Sequence, residues 1–138
     1  MLKKNLLLTL LAVFSLLAIT TSCEKTEPIH LVSDTNLKGQ NTIPVPAEGG
    51  TIHVTCTNYE SFSVYEYSVT VDKQPFKDPN STTISPVSLT PWLKTTVNKN
   101  VMTVVVEPNT TSKVRITIFE FTAGDVRTRL KFEQEAKK

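Results

Sequence analysis

The chain has 138 residues, with 15 basic and 13 acidic side chains, two Cys, two His, four Gly and one Trp. That is the length of one domain. Four glycines exclude a collagen-like repeat, two Cys and two His are too few and too scattered for a structural zinc site, and a formal charge of +2 is not the footprint of a nucleic-acid binder.

Residues 1–22 read MLKKNLLLTLLAVFSLLAITTS. Lys3 and Lys4 form a short basic start, and Leu6 to Ile19 is an apolar run interrupted only by Thr9 and Ser15. Thr20, Thr21 and Ser22 then precede Cys23. This is the three-part pattern of a secretory signal, and the run is shorter than the roughly 20 residues that span a bilayer. Small residues directly before a Cys resemble the lipobox of bacterial lipoproteins, although Thr20 stands where that family usually has Leu. The resemblance implies removal of residues 1–22, acylation of Cys23 and attachment to a lipid bilayer, with the protein in the cell envelope, at the outer membrane and facing outward or inward. Acyl chains contribute about 0.8 kcal/mol per buried methylene to such an anchor. The alternative is plain secretion with a free Cys near the new N-terminus.

Without Lys3 and Lys4, the 15 basic residues become 13, against 13 acidic, so residues 23–138 carry no net charge. With Cys23 acylated, Cys56 has no partner for an internal disulfide. It lies in TIHVTCT in phase with Ile52 and Val54, which predicts a small buried hydrophobe. His53 falls on the opposite face of the same strand and His30 lies upstream of it, so no Cys–His dyad is expected.

Residues 23–40 show no sustained periodicity and read as a flexible tether, with a reach of roughly 55 Å at about 3.3 Å per residue. Ile29, Leu31 and Val32 are candidates for an added edge strand. The domain is expected over 41–138. Residues 51–57 alternate with period two after the turn PAEGG at 46–50. In 61–71 the apolar phase starts on Phe62 and Val64, then moves to Tyr65, Tyr67, Val69 and Val71, which predicts a bulge. Residues 72–91 hold Pro75, Pro79, Pro86 and Pro91 and read as a long loop, with Ser81–Leu89 a candidate edge strand. Strands are then predicted at Trp92–Val97, Val101–Glu107, Lys113–Phe121 and Val126–Gln134. No later stretch has a capped 3.6-residue period and there is no internal repeat. About seven short strands in about 100 residues predict an all-β antiparallel sandwich.

Four features fall in a set order: Asn58 followed by Phe62-Ser-Val64, then Trp92-Leu93, then Asn109 before Arg115, then LKFEQEA ending on Gln134. This order resembles the BACON domain, the Bacteroidetes-associated carbohydrate-binding, often N-terminal family, over roughly residues 44–136. Phe62 stands where that family has Trp, and the stretch from Val64 to Trp92 is longer than its usual spacing. The resemblance implies an immunoglobulin-like sandwich on a bacterial surface lipoprotein and a role in glycan or mucin binding, or as a spacer.

No nucleophile elbow, paired carboxylates selected by spacing, or calcium-type loop is present, so no enzyme and no cofactor is expected. Sugar binding on a sandwich uses exposed aromatic faces beside polar groups. The candidates are Tyr59, Tyr65, Tyr67, Phe119 and Phe121, with Trp92 expected in the core and core packing favoured for Tyr65 and Tyr67 too, because they share a face with Val69 and Val71. In KVRITIFEF, Val114, Ile116 and Ile118 share one face and Phe119 and Phe121 take the other. Either a bulge turns the phenyl rings inward, the favoured reading, or they sit outside as the best binding patch. Arg127, Arg129 and Lys131 alternate with apolar residues as a basic stripe. The stripe is either a solvated face paired with Glu120 and Glu133 or an attractor of acidic glycans. The sequons at Asn80 and Asn109 are read as turns. The partners considered are the bilayer, glycans or mucin, and a larger surface protein docked by a spacer, with no nucleic acid.

Overall fold

In the computed structural model, residues 27–39, 41–76 and 90–138 are described. They form nine strands and, among the described residues, no helix. The strands are β1 (Leu31–Ser33), β2 (Thr42–Val45), β3 (Gly50–Cys56), β4 (Ser63–Val71), β5 (Gln74–Pro75), β6 (Leu93–Asn98), β7 (Val101–Val106), β8 (Arg115–Ala123) and β9 (Val126–Gln134). One sheet has the order β1-β3-β7-β6 and the other β2-β9-β8-β4-β5. These fill the A-B-E-D and C-F-G places of an immunoglobulin-like sandwich, with β2 added outside the G position and β5 outside the C position. The expected all-β sandwich is therefore present.

Three details differ from the sequence reading. The described residues form nine strands rather than about seven: β1 is the edge strand that Leu31 and Val32 offered, and the two-residue β5 carries no pattern of its own. One pair is parallel: β2 runs along β9 from Thr42↔Lys131 to Val45↔Gln134, while every other pairing is antiparallel. The third concerns residues 23–40, which are not all tether. From Glu27 the chain belongs to the domain. Ile29 is buried and β1 pairs with β3. Asn58 clamps this segment, donating from Nδ2 to the Pro28 carbonyl at 2.7 Å and accepting from the His30 N–H at 2.9 Å. Tyr59 Oη donates to the Glu27 carbonyl at 2.6 Å. The candidate strand at Ser81–Leu89 and the sequon at Asn80 lie outside the described residues.

The core lies between the sheets and follows period two on both sides. Ile52, Val54 and Cys56 of β3 and Met102, Val104 and Val106 of β7 face Ile43, Val45, Leu130, Phe132, Phe119 and Phe121 of the other sheet. The rings meet edge-on or tilted: Phe119 and Phe132 have centroids 5.3 Å apart, and Phe62 and Phe121 5.2 Å. Cys56 is a fully buried free thiol, as its phase predicts. Trp92 is buried too, edge-on to Phe76 at 4.7 Å.

The phase of β8 settles the two phenylalanines. Phe119 is 1% exposed and Phe121 0%, so neither belongs to a binding patch. No bulge in β8 turns them: its register with β9 is unbroken from Arg115↔Gln134 to Ala123↔Val126. Instead β8 is inverted throughout. Thr117, Phe119, Phe121 and Ala123 are buried, while Ile116 and Ile118 are only half-buried. The shift expected in 61–71 does occur, between Glu66 and Ser68, opposite Phe119 and Ile118.

Polar side chains close the far end of the sandwich. Buried Asn109 donates from Nδ2 to the carbonyls of Lys113 at 2.7 Å and Glu135 at 2.9 Å, and its Oδ1 accepts from the Thr111 hydroxyl at 2.8 Å. It is a turn residue, as read. Gln134 Nε2 donates to the Glu107 carbonyl at 2.8 Å. Gly49 directly precedes β3 with φ +75°, and a Cβ there would lie 2.1 Å from the Val106 carbonyl oxygen. Both the left-handed backbone and the backbone contact require glycine. Gly49→Ala is expected to lower the stability to urea unfolding by about 3 kcal/mol. A change within about 0.5 kcal/mol would contradict this account of the turn.

Candidate ligand-binding face

The outer face of the five-stranded sheet gathers four of the residues singled out in the sequence. Register places Tyr65 of β4 opposite Glu120 of β8, and Glu120 opposite Arg129 of β9. Arg127 is the partner of Thr122, one outward position further along. Tyr67 stands at the β4 irregularity between Glu66 and Ser68. Cross-strand neighbours on one face are close enough for long side chains to meet.

Glu120 is the hub. Its side chain is only 4% exposed although it points away from the core, because its longer neighbours cover it. Tyr65 Oη donates to Glu120 Oε1. Arg129 Nε donates to Oε2 at 2.7 Å, and Arg127 Nη1 lies 3.6 Å from Oε1. The Arg129 guanidinium also stacks on Tyr67, with Cζ 3.5 Å from the ring centroid. The Tyr65 and Arg129 hydrogen bonds hold the Glu120 carboxyl below its usual range against the opposing effect of burial. The same carboxylate raises the Tyr65 phenol and the Arg129 guanidinium. One acid against two guanidinium groups leaves the cluster with one positive charge. Lys131 is neutralised by Glu133 at 2.9 Å. The basic stripe is therefore largely paired, and Arg127, with a side chain 71% exposed, is its most open cation.

The other candidates are elsewhere. Tyr59 ties down the N-terminal segment, and Phe119 and Phe121 are core. Tyr65 is half-buried, and Tyr67, 49% exposed, is the open ring of the cluster. Cys56 is remote from imidazole chemistry. Its Sγ contacts Asn58 Oδ1 at 3.5 Å, while the exposed His53 ring meets Asp34 Oδ2 at 2.7 Å. Burial acts to raise the Asp34 carboxyl, but its hydrogen bonds with His53 outweigh that and hold it low. Glu66 is buried on the inner face and accepts from the Thr90 hydroxyl at 3.0 Å, whereas Glu60 is exposed. Among the described residues, no group of three His, Cys, Asp or Glu side chains is placed to hold a metal ion. Cys23 lies outside the described residues. The residue that sequence reasoning undervalued is Glu120, which it knew only as a counter-charge to the stripe. Its role as hub needs the pairing of β4 with β8, which no local pattern encodes.

Among solved structures, the chain is similar to a Bacteroides thetaiotaomicron protein determined by NMR. That match has 25% identity and a TM-score of 0.61, and covers 81% of this chain and 90% of that one. The titin M3 and M7 domains align at 9% and 11% identity with a TM-score of 0.44 each. They cover 80% and 81% of this chain and 99% and 98% of theirs. No family model and no curated protein matches.

The depressed carboxyl of Glu120 gives a pH signature. Its contribution to stability is complete above the usual value of 4.5 and is lost as pH falls through the lower folded-state value. Asp34 acts in the same direction over the same acid range. Melting curves from about pH 6 down to about pH 2 should show the wild type losing stability more steeply than Glu120→Gln, with the variant less stable at neutral pH. Parallel curves for the two proteins would remove Glu120 from its assigned role.

Proposed function

We propose that the chain is a non-enzymatic lipoprotein of the bacterial cell envelope, anchored through acylated Cys23, whose outer sheet face binds an acidic glycan. The observation that carries the reading is the assembly of Tyr65, Tyr67, Arg127 and Arg129 around one buried carboxylate. Glu120 bonds Arg129 through its Nε, and Tyr67 lies against its face. A guanidinium fixed in this way and a nearby open one suit a carboxylate or sulfate on a sugar. Tyr67 supplies apolar ring surface beside them. The signal-like N-terminus, the resemblance to the BACON family and the likeness to a Bacteroides protein support the cellular setting.

A second reading, a spacer or accessory subunit that docks a larger surface protein, has its own observation. The residues that carry the family resemblance are structural here: Asn58 and Asn109 are clamps, Gln134 bonds to a strand end, and Phe62 and Trp92 are buried. A glycan array probed with residues 24–138, with folding checked by circular dichroism, separates the two. Binding of sialylated or sulfated glycans that weakens with salt and drops about tenfold in Arg127→Ala or Tyr67→Ala is the expected result. A folded protein that binds nothing on the array, but crosslinks to one partner at intact cells, selects the spacer. Acyl labelling of the wild type but not of Cys23→Ala is expected in either case, and equal labelling of the two would rule out the anchor.

A further inference from the structure

Five residues before Glu120, on the other face of β8, Arg115 reaches out of the sandwich end and lies over Trp92, with Cζ 4.6 Å from the ring centroid. A groove of about 440 Å³ opens there, lined by Pro91, Trp92, Glu107, Pro108, Thr110 and Arg115. The polar contacts of Arg115 are sparse. Nη1 donates to the Pro108 carbonyl and to Gln134 Oε1, each at 3.5 Å, the outer limit for a hydrogen bond. Among the described residues no carboxylate lies within 4.0 Å of it, and no buried side-chain nitrogen or oxygen lacks a partner. The remaining N–H donors of this guanidinium, which has five in all, therefore face the solvent-filled groove. Arg129 has a bonded carboxylate and Arg127 lies near one, but Arg115, partly buried, has neither.

We propose that this groove is a second binding site, for a hydroxylated carboxylate of the uronic-acid type. The carboxylate takes the open N–H donors of Arg115 in a planar, two-point contact. The ring body rests against Pro91 and Pro108. Glu107 accepts from hydroxyls, as does the Thr110 side-chain oxygen, and the negative charge of Glu107 disfavours a second anionic group on the ligand. Burial alone pushes the guanidinium down from its ordinary value, with the charge of Glu107 opposing this. A bound carboxylate offsets that same desolvation. The site shares no residue with the outer face, so either can fail without the other.

Trp92 is the chain's single tryptophan and forms the floor under Arg115, so its fluorescence reports the site directly. Sodium glucuronate titrated into residues 24–138 is expected to shift Trp92 emission saturably, while glucose has no effect. Arg115→Lys keeps the charge but not the fork and should weaken the response about tenfold, and Arg115→Gln should abolish it. Arg127→Ala, on the other face, should leave it unchanged. The wild-type arm needs no variant to fold, and an emission that does not change saturably with glucuronate overturns the site. An equal response to glucose, or an undiminished one in folded Arg115→Gln, overturns it as well. A propionate response equal to that of glucuronate would overturn the assignment of Glu107 and Thr110 to hydroxyls.

Discussion

The side chains of a strand must alternate, and in β8 that constraint organises both faces of the larger sheet. Once Phe119 and Phe121 are committed to the core, Glu120 between them can only point away from it. An acid in the middle of a central strand then has to be satisfied by its two neighbours. β4 supplies the Tyr65 hydroxyl and β9 supplies Arg129. Burying a phenyl ring of this kind stabilises by about 3–5 kcal/mol relative to Ala. That is more than an exposed ion pair contributes, so the core sets the phase and the polar cluster follows from it. The outer face is a consequence of the inner one.

This ordering explains what the sequence made legible. β3, β7 and β9 read correctly because each keeps one clean apolar face. The bulge in β4 was visible because the apolar phase of the sequence changes within the segment, although it put the change between Val64 and Tyr65 and the register shifts between Glu66 and Ser68. β8 misled because both of its faces are rich in hydrophobic residues. Ile116 and Ile118 outline a strand face as well as Phe119 and Phe121 do, and only the volume of the partner sheet's core decides between them. The segment before Asn41 misled for another reason. Its local apolar residues Ile29, Leu31 and Val32 did suggest the edge strand that β1 forms, but the anchoring at Pro28 and Glu27 comes from Asn58 and Tyr59, about 30 residues away.

The candidate site was legible as an inventory but not as an arrangement. Arg127 and Arg129 could be named because alternating cations are a local feature, but the sequence phase put Tyr65 and Tyr67 on the inward face of Val69 and Val71, and the register shift between Glu66 and Ser68 leaves them on the outer face instead. The convergence of all four on Glu120 depends on three strands in register. Arg115 shows the same limit from the other side. In sequence it is one member of the Asn109…Arg115 pair, and only the fold sets it on Trp92 with, among the described residues, no carboxylate within 4.0 Å.

The clamp at Glu27 has a mechanical consequence. Cys23 stands four residues before it, so the covalent path from the proposed lipid to the first fixed point of the sandwich is at most about 14 Å. A 17-residue tether, with its reach of roughly 55 Å, would have let the domain move more than its own width above the membrane. If Cys23 carries the proposed lipid, a leash this short holds the sandwich close against the headgroups, with its standoff set by β1 and the Asn58 clamp. Any partner must then approach within the thin layer next to the bilayer, and lengthening the leash would change who can reach the protein without altering a single contact inside it.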